Sequence, residues 1–181
     1  MTMPVGGLET DEMLTILGKC SVLAIAYTLA CKVLLSNEEF HGSPLYNWLS
    51  CLPIQLVWFP YVVHWCVSSF EGDLMGWLVA PWSEMNGEGE RYFLFLIYAY
   101  MFKDVGMYLV GGKMATMYWA HHLVCWTIIL SFFYNNSVGI FIFGGTAMEF
   151  GGASQTLHLL MPDSSLFDAL HVLTMTVSHV V

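Results

Sequence analysis

Residues 117–134 read MYWAHHLVCWTIILSFFY, a stretch without a single Asp, Glu, Lys or Arg. Backbone N–H and C=O groups in hydrocarbon must pair within their own segment, so an apolar run of roughly 20 residues is read as a helix crossing the bilayer. Similar runs lie on either side of it. Arg91 to Val110 precedes it, Val138 to Met161 follows it, and Pro44 to Phe70 and Glu12 to Leu35 lie nearer the N-terminus. Another run begins near Leu166, but only about 13 residues follow Asp168, short of a full crossing. That end is read either as a half-crossing or as an incomplete sequence. The expected fold class is all-α, a multi-pass transmembrane helical bundle of five spans plus a partial sixth.

The whole composition agrees with a lipid-facing protein. Over 181 residues, 57% are hydrophobic and only 10% charged. Five Lys and Arg cannot supply the charged shell a soluble domain of this length needs. The formal charge of −9 comes mostly from acids between or before the apolar runs, among them Glu9, Asp11, Glu12, Glu38, Glu39, Glu71, Asp73 and Glu84. With no cluster of Lys or Arg to neutralise phosphates, nucleic acid is excluded as a partner. Lys32 and Lys113 lie toward one face while Lys19 and Arg91 lie toward the other, so positive charge gives no orientation.

Several features have plain structural readings. Cys20, Cys31, Cys51, Cys66 and Cys125 form no Cys-x-x-Cys pair and are read as small packing residues. Ala24-Ile25-Ala26 mimics a signal-peptide cleavage site, but the acids before it and Lys19 within the apolar core contradict that layout. Pro53 and Pro60 predict a kinked second helix. Ala147 and Gly151, with Gly144, Gly145 and Gly152 nearby, predict close helix packing. The segment Glu71 to Glu90 is read as interfacial, with Trp77 and Trp82 at head-group depth. The aromatic stripe from Tyr92 to Phe102 is packing surface, and no cofactor-binding pattern is read.

An ionisable side chain within hydrocarbon costs roughly 2.5–3.5 kcal/mol on insertion scales, so each one needs a partner, a cavity or a task. Asp104, His121, His122, Glu149 and His158 stand out. At about 1.5 Å rise per residue, Asp104 and His121 both sit roughly 6–9 Å in from the face carrying the Gly111 to Thr116 loop. His158 returns to that face, and Glu149 lies near the middle of its span. A carboxylate at the depth of two imidazoles can hold one ring N–H and leave the other nitrogen as a base or nucleophile. Adjacent helical residues point about 100° apart, so His121 and His122 must meet different neighbours. Tyr100 and Tyr108 flank Asp104 and are positioned to donate to it. Lys103 is expected to snorkel toward the interface rather than pair with Asp104. Isolated His64 is read as helix glue, and a metal site is disfavoured because no His-x-x-x-His spacing occurs among these residues.

Three short motifs taken in order resemble a known family: Tyr98 to Asp104, Met117-Tyr118-Trp119-Ala120-His121-His122-Leu123, and Ala147-Met148-Glu149-Phe150-Gly151-Gly152-Ala153-Ser154. This set is similar to the TLC domain shared by ceramide synthases, translocating-chain-associated membrane proteins and lipid-regulating relatives. The likeness runs from about Tyr46 onward. It divides the chain into 1–43, an N-terminal segment with the first transmembrane helix, and a TLC-like domain over 44–181. It implies a protein of the endoplasmic reticulum or plasma membrane with membrane lipids as partners. Glu149, Ser154, His158, Tyr100 and Tyr108 are then expected to bind lipid. In the ceramide-synthase branch the histidine pair transfers an acyl chain from acyl-CoA to an amine, which implies catalytic roles for His121 and His122 with Asp104 orienting them. This chain lacks that branch's acidic run after the pair and a basic segment for the CoA phosphates. The closer likeness is to members that adjust lipid composition. A structural or translocon-associated role is a further alternative.

Overall fold

A computed structural model describes residues 10–81, 84–85, 87–109, 116–132 and 138–180. The protein is all-α apart from one short hairpin. Helix α1 (Thr10–Leu34) is followed by strands β1 (Glu39–Phe40) and β2 (Ser43–Pro44), then by α2 (Leu45–Pro53), a π turn (Ile54–Trp58) and α3 (Phe59–Ser69). Then come α4 (Leu74–Val79), α5 (Glu88–Leu109), α6 (Thr116–Phe132), α7 (Gly139–Leu160) and α8 (Ser165–Val180). Apart from α4, which falls in the segment read as interfacial, these helices lie where the apolar runs predict them. Val110, Lys113, the 111–115 loop, Tyr134 and the interfacial assignment of Trp82 fall outside the described residues.

Among the described residues, Thr10–Leu34 and Leu45–Ser69 are long and apolar enough to cross a membrane. Helix α6 is described over only 17 residues. Helices α5 and α7 dilute their apolar positions with ionisable groups and glycines. Many outward-facing side chains are nevertheless large and apolar: on α1, Val22 and Leu23 are each 67% exposed and Val33 82%.

The helix from Leu45 to Ser69 does not break at its prolines. Between Pro53 and Pro60 the backbone widens into the π turn, which absorbs the missing N–H donors while the helix continues to Ser69. Two positive φ angles, at His41 (46°) and Gly42 (79°), close the hairpin in the geometry suited to a two-residue connection between twisted strands. Trp48 Nε1 donates to Phe40 O at 3.0 Å and fixes the hairpin against α2.

The core gathers Phe59 and Val62 of α3, Trp77 of α4, Phe93, Leu94 and Ile97 of α5, Ile129 of α6 and Ile142 of α7. Trp77 corrects its sequence reading. It is fully buried, and its Nε1 donates to Glu90 at 2.7 Å instead of reaching water. The acid beside it satisfies the indole, so the ring gains more from the core than from the interface.

Close approaches position the helices. A Cβ at Gly106 would lie 2.9 Å from Thr28 Oγ1 and 3.2 Å from Ile25 Cα, so α5 and α1 nearly touch there. Thr28 Oγ1 donates to Lys103 O at 2.9 Å across the same contact. At Gly139 a Cβ would stand 2.5 Å from Trp77 O and 2.9 Å from Leu78 Cα, which are backbone atoms that cannot swing aside. Gly139→Ala is therefore expected to destabilise the protein by about 1–3 kcal/mol through forced displacement of α4. Thermal unfolding in detergent micelles checks this, and an unchanged midpoint would contradict the close seating.

Candidate functional site

Asn47, Cys51 and Gln55 recur every four residues along α2 and the π turn, which puts a polar stripe on one face of an apolar span. Opposite stand Asp104 of α5, His122 of α6, and Gly152, Gln155 and Thr156 of α7, with the hairpin residues His41, Gly42 and Ser43 at the rim. Together they line a cavity of about 390 Å³.

Asp104 is the hub. Its Oδ2 lies 2.8 Å from His122 Nε2 and its Oδ1 accepts from Lys103 Nζ at 2.6 Å. Lys103 Nζ also donates to Asn47 Oδ1 at 3.0 Å. The lysine thus departs from the snorkelling reading: its backbone position does point away from Asp104, but its long stem curls back. Two acceptors inside the bundle hold the ammonium with 3% of the side chain exposed. The charge-assisted contacts on Asp104 fix the imidazole edge that faces it. Trp126 packs edge-on to the His122 ring, with centroids 6.1 Å apart.

The histidine pair divides as the helix angle requires. His122 is buried in the site, whereas His121 is exposed, with its Nε2 3.5 Å from Cys125 Sγ. Glu149 does not meet either imidazole among the described contacts. Its Oε2 accepts from Gln55 Nε2 at 2.9 Å, and the Tyr100 hydroxyl hydrogen-bonds the same carboxylate. Tyr100 therefore serves the Gln55–Glu149 layer rather than Asp104. Tyr108 is 52% exposed and packs edge-on to Trp119, so it does not donate to Asp104 either.

Ser154 and His158 lie in the contact between α7 and α8 and not in the cavity wall. Ser154 Oγ donates to Gly151 O at 2.7 Å and hydrogen-bonds Thr174 Oγ1. His158 Nδ1 lies 3.2 Å from Asp168 Oδ1, and its ring stacks on His171. Their helix face turns them toward α8. His64 is exposed beside Ser68 and borders an apolar groove of about 590 Å³ between α3, α7 and α8.

The lining residues missed in the sequence include Asn47, Cys51, Gln55, Gln155, Thr156 and the hairpin. The signal was present as uncharged polar side chains at i, i+4 and i+8 of an apolar run, and as a His-Gly pair between short extended segments. Chemically, the site offers a carboxylate–imidazole pair, a buried ammonium and a primary amide, enclosed by an otherwise apolar bundle. No protein-family model matches the chain, and comparison with curated proteins and with solved structures finds no match.

Proposed function

We propose that this chain is a multi-pass membrane protein of the TLC type, with five spans and a partial sixth, that binds or senses membrane lipids through their polar head groups. The observation that carries the reading is the contact of buried His122 with half-buried Asp104 in a polar cavity within a bundle whose outer surface is largely apolar. A polar cluster of this kind is costly in hydrocarbon unless it has a task. The apolar outer faces of the helices support more spans than length and composition alone identify, because a water-facing domain rarely exposes so much apolar surface. The separate apolar groove between α3, α7 and α8 gives room to an acyl tail.

Expressing the wild type and single variants in a host membrane, then profiling lipid species by mass spectrometry, tests this. The wild type is expected to shift the profile, His122→Ala to abolish the shift, and His121→Ala to retain most of it, since His121 faces outward. An unchanged profile with the wild type would remove the lipid reading.

The same imidazole–carboxylate pair favours one second reading, an acyltransferase in which His122 takes a proton from a lipid nucleophile and Asp104 orients the ring. It predicts a new acyl product whose formation falls by at least about 100-fold in His122→Ala. A profile shift with no acyl product excludes it.

A further inference from the structure

Gln55 lies in the π turn, is 5% exposed and lines the polar cavity. Its amide nitrogen is engaged on two sides, 2.9 Å from the Tyr100 hydroxyl and 2.9 Å from Glu149 Oε2. With Glu149 ionised, turning the amide over would set its oxygen against a carboxylate, acceptor against acceptor. Gly152 makes room for it: a Cβ there would stand 3.1 Å from Gln55 Nε2. The oxygen, Oε1, is buried and receives no hydrogen bond among the described residues. Asp104, the other strong acceptor in the cavity wall, is already served by Lys103 and His122. The unmet requirement of the cavity is therefore a donor, and a buried acceptor left without one is costly.

We infer that Gln55 is a specificity-determining residue, and that the cavity takes a lipid head group presenting an N–H or O–H donor to its Oε1. Amine- and hydroxyl-bearing heads are held, while a quaternary ammonium head of the same charge as an amine is discriminated against because it has no N–H. This rests on the cavity being a head-group site, and the experiment separates the two claims.

The full chain in detergent micelles is titrated with dioleoyl phosphatidylethanolamine, phosphatidylglycerol and phosphatidylcholine, and bound lipid is counted by native mass spectrometry. One donor withheld from a buried acceptor corresponds to a loss of about five-fold or more in affinity. Either or both donor-bearing lipids are expected to bind tighter than phosphatidylcholine by at least that factor. A preference for phosphatidylethanolamine alone identifies an amine donor, and an equal preference for phosphatidylglycerol identifies a hydroxyl. Gln55→Met, of similar length and with no amide, is expected to erase the preference; the wild-type ratio decides the matter even where that variant does not fold. Equal affinity of the wild type for all three lipids overturns the inference and leaves the head-group reading standing. Failure of the wild type to bind any of them overturns both.

Discussion

Asp104→Ala is expected to destabilise the protein by about 3–5 kcal/mol, the range seen when one partner of a buried ion pair is removed. The size follows from what stays behind. Lys103 and His122 keep 3% and 7% side-chain exposure, and both lose the carboxylate that compensates their burial. Only neutral groups, Asn47 and Cys51 among them, then hold the ammonium among the described residues. Unfolding by heat or denaturant in detergent micelles measures the loss, with retention of the helical signal checked first. Replacing both Lys103 and Asp104 by apolar residues, Lys103→Met with Asp104→Leu, is expected to recover part of it, since the buried ammonium is gone while His122 still lacks its carboxylate. A loss below about 1 kcal/mol for Asp104→Ala would mean that water reaches the pair freely, contrary to the enclosure described.

Trp77→Ala carries the second large effect, about 3–5 kcal/mol from the emptied core volume. The indole is fully buried, and it donates to Glu90, which is itself 3% exposed. Trp77→Phe separates the two contributions. It keeps most of the ring and leaves the Glu90 carboxylate without its N–H, so it is expected to cost about 1–3 kcal/mol. Glu90→Gln still offers an oxygen to the indole and is expected to be milder than either. If Trp77→Phe were as stable as the wild type while Trp77→Ala lost several kcal/mol, the hydrogen bond would contribute little and volume would explain everything.

Helix positions were legible because the physics that sets them is local: apolar length, and acids and glycines at the edges. Level along the helices was legible for the same reason, which is how Asp104 could be brought to the His121–His122 pair from their numbers alone. Rotation about each helix axis was not. The long helices are apolar almost all round, so no stripe in α5 or α7 declares which face meets which neighbour. His122 rather than His121 meets Asp104, and Ser154 and His158 turn to α8, because of helix order and packing that a single run does not encode. Lys103 and Trp77 were misread for a related reason. General tendencies place a lysine at the interface and a tryptophan at head-group depth, but one specific partner for each, Asp104 and Glu90, outweighs the tendency. Asn47 and Gln55 were overlooked because attention to charge passed over neutral amides.

The π turn between Pro53 and Pro60 also governs how this span tolerates changes in length. It sets the phase between two halves of one helix, one presenting Asn47, Cys51 and Gln55 to the cavity and the other presenting Phe59, Val62 and Cys66 to the core. At i→i+5 spacing the turn takes one more residue over nearly the same rotation, so removing one residue there would restore ordinary winding with the two halves close to their present phase. Removing one from the α-wound parts on either side would instead swing one half against the other by about 100°, a more damaging lesion than most substitutions because it misaligns both halves while leaving every side chain intact.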